Sequence, residues 1–477
     1  MTEKVYFLDQ HGCAKNQVDA EQMIAVLAGL GWKKTDDPAC AKLIIVNSCG
    51  FIEPAKKESI DAVITARVSC PGAKVLLAGC LAERYADDLA GQLSEADGFF
   101  GNGDISRINE ILEKLFPEDS DKREQPVLTP PQSGIPQIQR HELLSFPRSA
   151  YLKITEGCDN HCSFCAIPLI RGSLRSRTIE DIRNEAQDLV SRGIFEINII
   201  GQDLASYGRG SEDSFADSSE SPLASLLQAL STLSGDFWIR LLYIHPDNFP
   251  LDILPVIQGD ERFLPYFDIP FQSADPAILA KMNRRGSADI YRALVAQLRH
   301  AFSLSDKGRS FLALRTTILT GFPGESDESF ELTARFLADI RPLWSGSFTY
   351  SPEEGTVAAE LKKKVPKKTA LARAAAFKEL QTRITEEELA VFVGQELTVL
   401  VEEVIPDQGS PDPADPVPPS RLALGRAWFQ APEVDGSVVL QFEDGQTGVD
   451  GESVCAGSVV KALVIAVHGV DVEAVVQ

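Results

Sequence analysis

The sequence has no apolar run near the about 18 residues that a membrane span needs. Its opening residues, MTEKVYFLDQHGC, lack the apolar core of a signal peptide. These two absences lead to the expectation of a cytoplasmic chain with no membrane partner. Positive charge is also scarce: 46 Lys and Arg stand against 69 Asp and Glu, for a net charge of −23. Nucleic-acid binders carry a basic footprint. Here the overall field repels RNA and attracts basic partners. Nine cysteines in a long cytosolic chain suggest metal or redox work rather than disulfides. With 477 residues, 44% hydrophobic and 24% charged, the chain can build two to four globular domains.

What is present centres on residues 151–177, YLKITEGCDNHCSFCAIPLIRGSLRSR. Residues 151–155 alternate and are β-branched, which predicts a strand. Gly157 turns the chain, and Cys158, Cys162 and Cys165 follow as C-x3-C-x2-C. Three thiolates on one loop can grip one metal centre. A closed zinc site takes four ligands, and a 4Fe–4S cluster usually takes four cysteines. The local fourth ligand is missing, which leaves the open position that catalytic metal sites keep. The alternative is a zinc knuckle completed from elsewhere, for example by His161.

Residues 1–120 read as an α/β domain. Strands are expected at 5–8, 43–47 and 75–79, and a helix at 19–30. Each strand runs into a cysteine: Cys13, Cys49 and Cys80. Ligands bind open parallel sheets at the carboxyl ends of their strands, so these thiols are expected to converge. Zinc is again the alternative. Cys40 and Cys455 have apolar or small neighbours and read as packed thiols, and Cys70 as a loop thiol.

The segments HGCAKNQVDAE, VNSCGFIEPAKKES and AGCLAERY, followed by EGCDNHCSFCAIPLIRGSLRSR, resemble the methylthiotransferase family of the radical S-adenosylmethionine (SAM) superfamily. The resemblance spans nearly the whole chain. It implies two 4Fe–4S clusters, one held by Cys13, Cys49 and Cys80, the other by Cys158, Cys162 and Cys165. The amino and carboxylate groups of SAM would chelate the open iron of the latter. It also implies addition of a methylthio group to an unactivated carbon, and an electron donor such as flavodoxin or ferredoxin.

Residues 121–148 are polar and proline-rich and read as an extended linker. Residues 149–392 alternate strands (151–155, 195–200, 238–243, 266–269, 311–319, 346–350) with helices such as 179–191, which predicts a partial (βα)6 barrel. Its strand ends carry Gln202, Asp203, His245, Gln272, the Gly321-Phe322-Pro323-Gly324-Glu325 loop and Ser351. Of these, Gln202, Gly321 and Gly324 are the expected SAM contacts. Arg171, Arg175 and Arg177 are expected either to pair with a carboxylate of substrate or cofactor, or to form a charged capping segment. The family pattern has His at the position of Ser273, a departure. The acidic, serine-rich stretch within 203–222 reads as a disordered surface loop. A helix is expected at 367–389.

Residues 393–477 read as a small antiparallel all-β barrel or sheet, interrupted by a loop at 407–420. By resemblance this is a TRAM domain. Residues 396–477 hold 14 acids against Arg421, Arg426 and Lys461, so an RNA clamp is not expected there. CGFIEPAKKES and GRAWFQAPEVDG resemble the family branch (RimO-like) that modifies an aspartate of the small-subunit ribosomal protein uS12. The alternative branch (MiaB-like) modifies an adenosine in tRNA. Glu433 and Asp435, in APEVDG, are expected at an exposed turn.

Overall fold

The computed structural model describes residues 3–117, 125–211, 213, 215, 219–303, 311–406 and 421–477. The first sheet contains β1 (Val5–Gln10), β2 (Lys33–Lys34), β3 (Leu43–Ser48), β4 (Lys74–Gly79), β5 (Gly98–Phe100) and β6 (Val127–Leu128). All pairs are parallel, in the order β2-β1-β3-β4-β5-β6. The apolar run of β3 is buried at every residue, as expected of a strand covered on both faces. Helices α1 (Ala14–Gly29), α2 (Glu53–Ser69) and α3 (Cys80–Leu89) follow β1, β3 and β4. Helix α1 begins at Ala14, not at residue 19. Its first turns carry Lys15, Asn16, Gln17 and Asp19, polar residues that hide the helical period in the sequence. All four are buried, because this end of α1 faces the next domain.

The second sheet comprises β7 (Ser149–Lys153), β10 (Glu196–Ile200), β11 (Trp238–Leu241), β12 (Phe263–Asp268), β13 (Ala313–Thr320) and β14 (Trp344–Thr349). These strands are parallel and ordered as they occur in the chain, an open (βα)6 barrel. A small antiparallel pair, β8 (Thr155–Glu156) with β9 (Arg175–Ser176), brackets the cysteine loop. The expected helices lie at Ile179–Ser191 and Lys367–Leu389. The third unit is a closed barrel of β15 (Glu396–Ile405), β16 (Arg421–Arg426), β17 (Val438–Phe442), β18 (Val459–His468) and β19 (Asp471–Val476). It is antiparallel except for the parallel pair β17 and β19. The 407–420 loop and residues 212, 214 and 216–218 of the serine-rich run lie outside the described residues. The described flanks of that run are anchored: Tyr207 is buried with Phe215 against its ring, and Ser221 caps the helix Pro222–Ser231.

The linker is more than a spacer. Its β6 completes the first sheet. Arg140, 4% exposed, binds Glu21 of α1, the Tyr151 carbonyl at 2.8 Å and Glu185 Oε1 at 3.0 Å. The C-terminal barrel is equally tied down. Arg426 clasps both oxygens of Glu196 on β10, at 2.8 and 2.6 Å, and Arg240 donates to the same carboxylate at 2.9 Å. Trp344 Nε1 donates to the Phe429 carbonyl at 2.6 Å. The expected exposed turn is corrected here. Glu433 is exposed, but the Asp435 side chain is 1% exposed. Asp435 accepts from the Tyr266 hydroxyl at 2.6 Å and from Arg315 Nε at 3.2 Å. Sequence alone reads PEVDG as a turn, and it is one, but it is pressed against the central sheet.

The expectations for the spare thiols are also corrected. Cys40 and Cys455 are exposed, Cys40 ending a 3-10 turn capped by Asp37. Cys70 is buried at the end of α2, in the core of the first domain.

Reversing Glu433→Lys should leave thermal stability nearly unchanged, whereas Asp435→Lys should bury an unpaired cation beside Arg315 and cost about 3–5 kcal/mol by denaturant unfolding. Burial alone would raise the Glu196 carboxyl, but Arg426 and Arg240 hold it well below the usual range. Its stabilising contribution is therefore complete above the unfolded value of about 4.3 and fades as pH falls below it. Glu196→Gln should cost about 3–5 kcal/mol at pH 7. The gap to wild type should narrow below pH of about 4, and a gap that does not depend on pH would refute this account.

Candidate site between two cysteine trios

The first trio forms at the carboxyl ends of β1, β3 and β4. Gly12, at φ +93°, lets the chain leave β1, and a Cβ there would lie 3.1 Å from Cys49 Cβ. Cys13 stands at the N-cap of α1, Cys49 directly after β3, and Cys80 opens α3. Cys80 Sγ donates to Asn16 Oδ1 at 3.1 Å and accepts from Asn102 Nδ2 and Arg171 Nη2, each at 3.3 Å. Burial pushes the Cys80 thiol up to about 12 and raises Cys49 as well. Cys13 is exposed, so the trio opens to solvent on that side.

The second trio sits on the loop between β8 and the helix Ile167–Arg171. Gly157 adopts φ +70°, and a Cβ there would fall 2.0 Å from the Ser173 carbonyl, so only glycine fits. The loop is pinned by Cys158 N to the Gly172 carbonyl (3.1 Å), Ser163 Oγ to the Lys281 carbonyl (2.7 Å) and Asn160 Nδ2 to Asp203 (2.8 Å). Burial pushes Cys158 up to about 11 and Cys165 up to about 12. His245 Nε2 lies 3.9 Å from Cys162 Sγ, while its Nδ1 accepts from Asp247 N at 3.3 Å. Burial lowers His245 to about 4. The ring is thus neutral at pH 7 with its proton on Nε2, facing the thiol. His161, the alternative fourth ligand, is exposed.

The two trios share one interface. Cys80 packs against Ala166 and Ile170, next to Cys165. Arg171 spans the gap: Nη1 donates to Glu156 at 2.8 Å, and Nη2 to Asp19 at 2.8 Å and to Asn16 at 3.0 Å. Lys153 completes the lattice, touching Asp19 and, at 2.7 Å, Glu156. Farther out, buried Glu353 accepts from Lys56 of α2 at 3.0 Å and Arg84 of α3 at 2.8 Å. The expected pairing of arginines with an external carboxylate is corrected, because all three are consumed inside the chain. Arg175 binds the carbonyls of Gly134 and Ser173, and Arg177 binds Asp181, Glu185 and the Lys153 carbonyl.

Among the strand-end residues, Gln202 stands apart. Both ends of its amide are buried and without a hydrogen-bond partner. Asp203 is occupied by the amides of Ala205 and His245. The amide of Gln272 bonds the Thr317 carbonyl, at φ +68°. Ser351 donates to Glu353. A Cβ on Gly321 would lie 2.4 Å from Ala370 Cβ, so this glycine lets the Lys367–Leu389 helix approach, and one on Gly324 would meet Lys281 Nζ at 2.5 Å. Glu325 accepts from Gly321 N and from Arg373. Ser273, buried, accepts from Asp275 N at 3.2 Å and so closes a local turn.

Lys15 was not singled out from the sequence. It is 9% exposed, and its ammonium lies 3.3 Å from the centre of the Tyr243 ring. Burial lowers it to about 8, still a cation at pH 7. Asp19 and Glu156 were equally silent. The available signal was a run of polar residues directly after Cys13, where a surface helix would show apolar spacing. Among the described residues, no three His, Cys, Asp or Glu side chains gather where a single metal ion could sit. A four-iron cluster is larger and spreads its cysteines wider.

Residues 152–337 match the Radical SAM superfamily, 393–476 the TRAM domain, and 4–101 the family described as Uncharacterized protein family UPF0004. The fold is similar to that of the radical S-adenosylmethionine methyltransferase TsrM from Kitasatospora setae, with a TM-score of 0.52 over 74% of this chain and 77% of that one, at 13% identity. Ribosomal protein uS12 methylthiotransferase RimO from Treponema denticola is 53% identical over 98% of this chain and 100% of its own. The proteins of that name from Aquifex aeolicus and Natranaerobius thermophilus are 39% and 38% identical, each over 90% of this chain and over 89% and 91% of their own. With three matched domains in this order and relatives of this similarity along nearly its whole length, the chain belongs to the ribosomal protein uS12 methylthiotransferase family of the radical SAM superfamily.

Proposed function

We propose that this chain attaches a methylthio group to the β-carbon of an aspartate in ribosomal protein uS12, either free or within the small subunit. The observation that carries the reading is the placement of two open three-cysteine sites on one domain interface, with Cys80 packed beside Ala166. A reactive carbon cannot wait for diffusion between distant centres, so sulfur delivery and hydrogen removal must be neighbours.

In this reading Cys158, Cys162 and Cys165 hold a 4Fe–4S cluster that takes SAM at its open iron, and Cys13, Cys49 and Cys80 hold a second. The donor sets fit: each offers three free thiols. Gln202, with its unpartnered buried amide, suits the polar groups of SAM, beside the Gly321 and Gly324 loop at the end of β13. When bound, these groups supply reductive cleavage of SAM, a sulfur for transfer and a methyl group. An electron donor such as flavodoxin or ferredoxin completes the requirement. The chain contributes position. Gly157 shapes the loop, the His245 N–H faces Cys162, and Arg171 lends positive charge to Cys80.

The third domain selects a protein rather than RNA. Arg426 and Asp435 are spent on docking, which leaves Glu396, Glu403, Glu433, Glu443, Asp444, Asp450 and Glu452 exposed against Arg421 and Lys461. No described helix is long and apolar enough to cross a membrane. The reading places the chain in the cytoplasm, where uS12 is made and assembled.

Mass spectrometry of uS12 from a strain lacking this protein should show loss of the methylthio increment, and its persistence would refute the proposal. Replacing Cys158, Cys162 and Cys165 by Ala should abolish 5′-deoxyadenosine formation in the anaerobically reconstituted enzyme. Replacing Cys13, Cys49 and Cys80 by Ala should keep that product but abolish sulfur insertion, with iron per chain falling by about half. Binding to basic uS12 should weaken as salt rises from low to physiological, with screening at about 8–10 Å. Salt-independent affinity, or tight binding to bare tRNA, would overturn the role given to the acidic barrel.

A further inference from the structure

Lys15 is a buried cation at the interface for which no described residue forms an ion pair. Three other cations around it are matched. Arg171 and Lys153 share Asp19 and Glu156, and Arg315 holds Asp268 at 3.1 Å as well as Asp435. None of the described residues offers Lys15 a hydrogen bond or ion pair, and its neighbour is the face of Tyr243. Nearby Asp268 is engaged by Arg315 and by the Tyr243 amide at 3.3 Å. A buried ammonium that no carboxylate contacts directly is costly, even with Asp268 and Glu156 acting on it through space, and buried charges are normally paired.

Its place is as informative as its isolation. Lys15 lies two residues after Cys13 of the first trio. Tyr243, on which it rests, lies two residues before His245, whose ring faces Cys162 of the second trio. Two residues span at most about 7 Å of chain. Lys15 therefore sits between the two cysteine sites, where the carbon to be modified must come. Gly12 and Cys13 are exposed beside it and give a way in.

We propose that the Lys15 ammonium receives the side-chain carboxylate of the target aspartate. This rests on the function proposed above and adds to it the residue that selects the substrate. A carboxylate held there would present its β-carbon to both sites and would supply the missing charge. An uncharged side chain, or a base, could not. The cation–π contact keeps the ammonium in place until the carboxylate arrives.

The test is a double-mutant cycle read by binding. Reconstituted holoenzyme, wild type or Lys15→Met, is titrated with uS12 carrying its target aspartate or an asparagine in its place, the target having been identified by its methylthio increment. In the wild type the change to asparagine should weaken binding about thirty-fold or more. In Lys15→Met the two uS12 forms should bind nearly alike, at the weaker level, with iron content and the cluster absorption spectrum unchanged. Should Lys15→Met fail to fold, Lys15→Gln gives the same cycle, and Lys15→Arg should keep the preference. The proposal is overturned if wild type ignores the asparagine change, or if the variant keeps the preference. It is also overturned if the variant loses iron while binding both forms as wild type does, because Lys15 would then serve the cysteine site. A wild-type enzyme that leaves no methylthio increment on uS12 counts against the proposed function itself, and that readout is separate.

Discussion

The buried lattice of Asp19, Glu156, Lys153 and Arg171 is the constraint on which the rest depends. Two cations and two anions, all largely removed from water, are tolerable only as a complete set. Remove one, and a charge is stranded at a cost of several kcal/mol. Asp19 belongs to the first domain and the other three to the second, so the set closes only when the domains meet in one orientation. That orientation is also the one that puts Cys80 beside Ala166. An apolar interface of the same area would hold as firmly but could slide, whereas an ion lattice in which one guanidinium bridges two carboxylates has one register.

The third domain repeats the device with different residues. Glu196 lies between Arg240 and Arg426, and Asp435 between Tyr266 and Arg315. Around them the apolar core runs from Tyr151, Leu264 and Trp344 of the central sheet into Phe429 and Val438 of the barrel. The barrel is therefore fixed against the central sheet. Its exposed acids, Glu403, Glu433 and Glu443 among them, remain at the surface.

Much of this was legible in the sequence, and the misread polar residues share a cause. The cysteine spacing, the strand order of the (βα)6 unit and the helices at 179–191 and 367–389 follow local rules: periodicity, capping and glycine at strand ends. Gly157 could be placed at a turn because its neighbours demanded one. The start of α1 at Ala14, the inward Arg171 and the buried Asp435 could not be read this way. In each case a charged or polar residue is buried by a domain distant in sequence. Local reasoning assigns such residues to solvent. Burial of charge is legible only when its partner is known, and the partners here stand from 15 to 169 positions away.

Arg140 carries a consequence for how divisible this protein is. From within the connecting segment it binds Glu21 in the first domain and Glu185 and Tyr151 in the second. A chain severed before residue 140 would leave Glu21 buried without its guanidinium, and one severed after it would leave Glu185 with only one of its two arginines. The fragments would not be smaller working copies of the whole. Each of the three matched segments is bounded in sequence, yet the charges that hold it are completed by another. Shuffling such a domain into a new setting would require carrying its counter-ions along, which ties the inheritance of the parts to that of the entire chain.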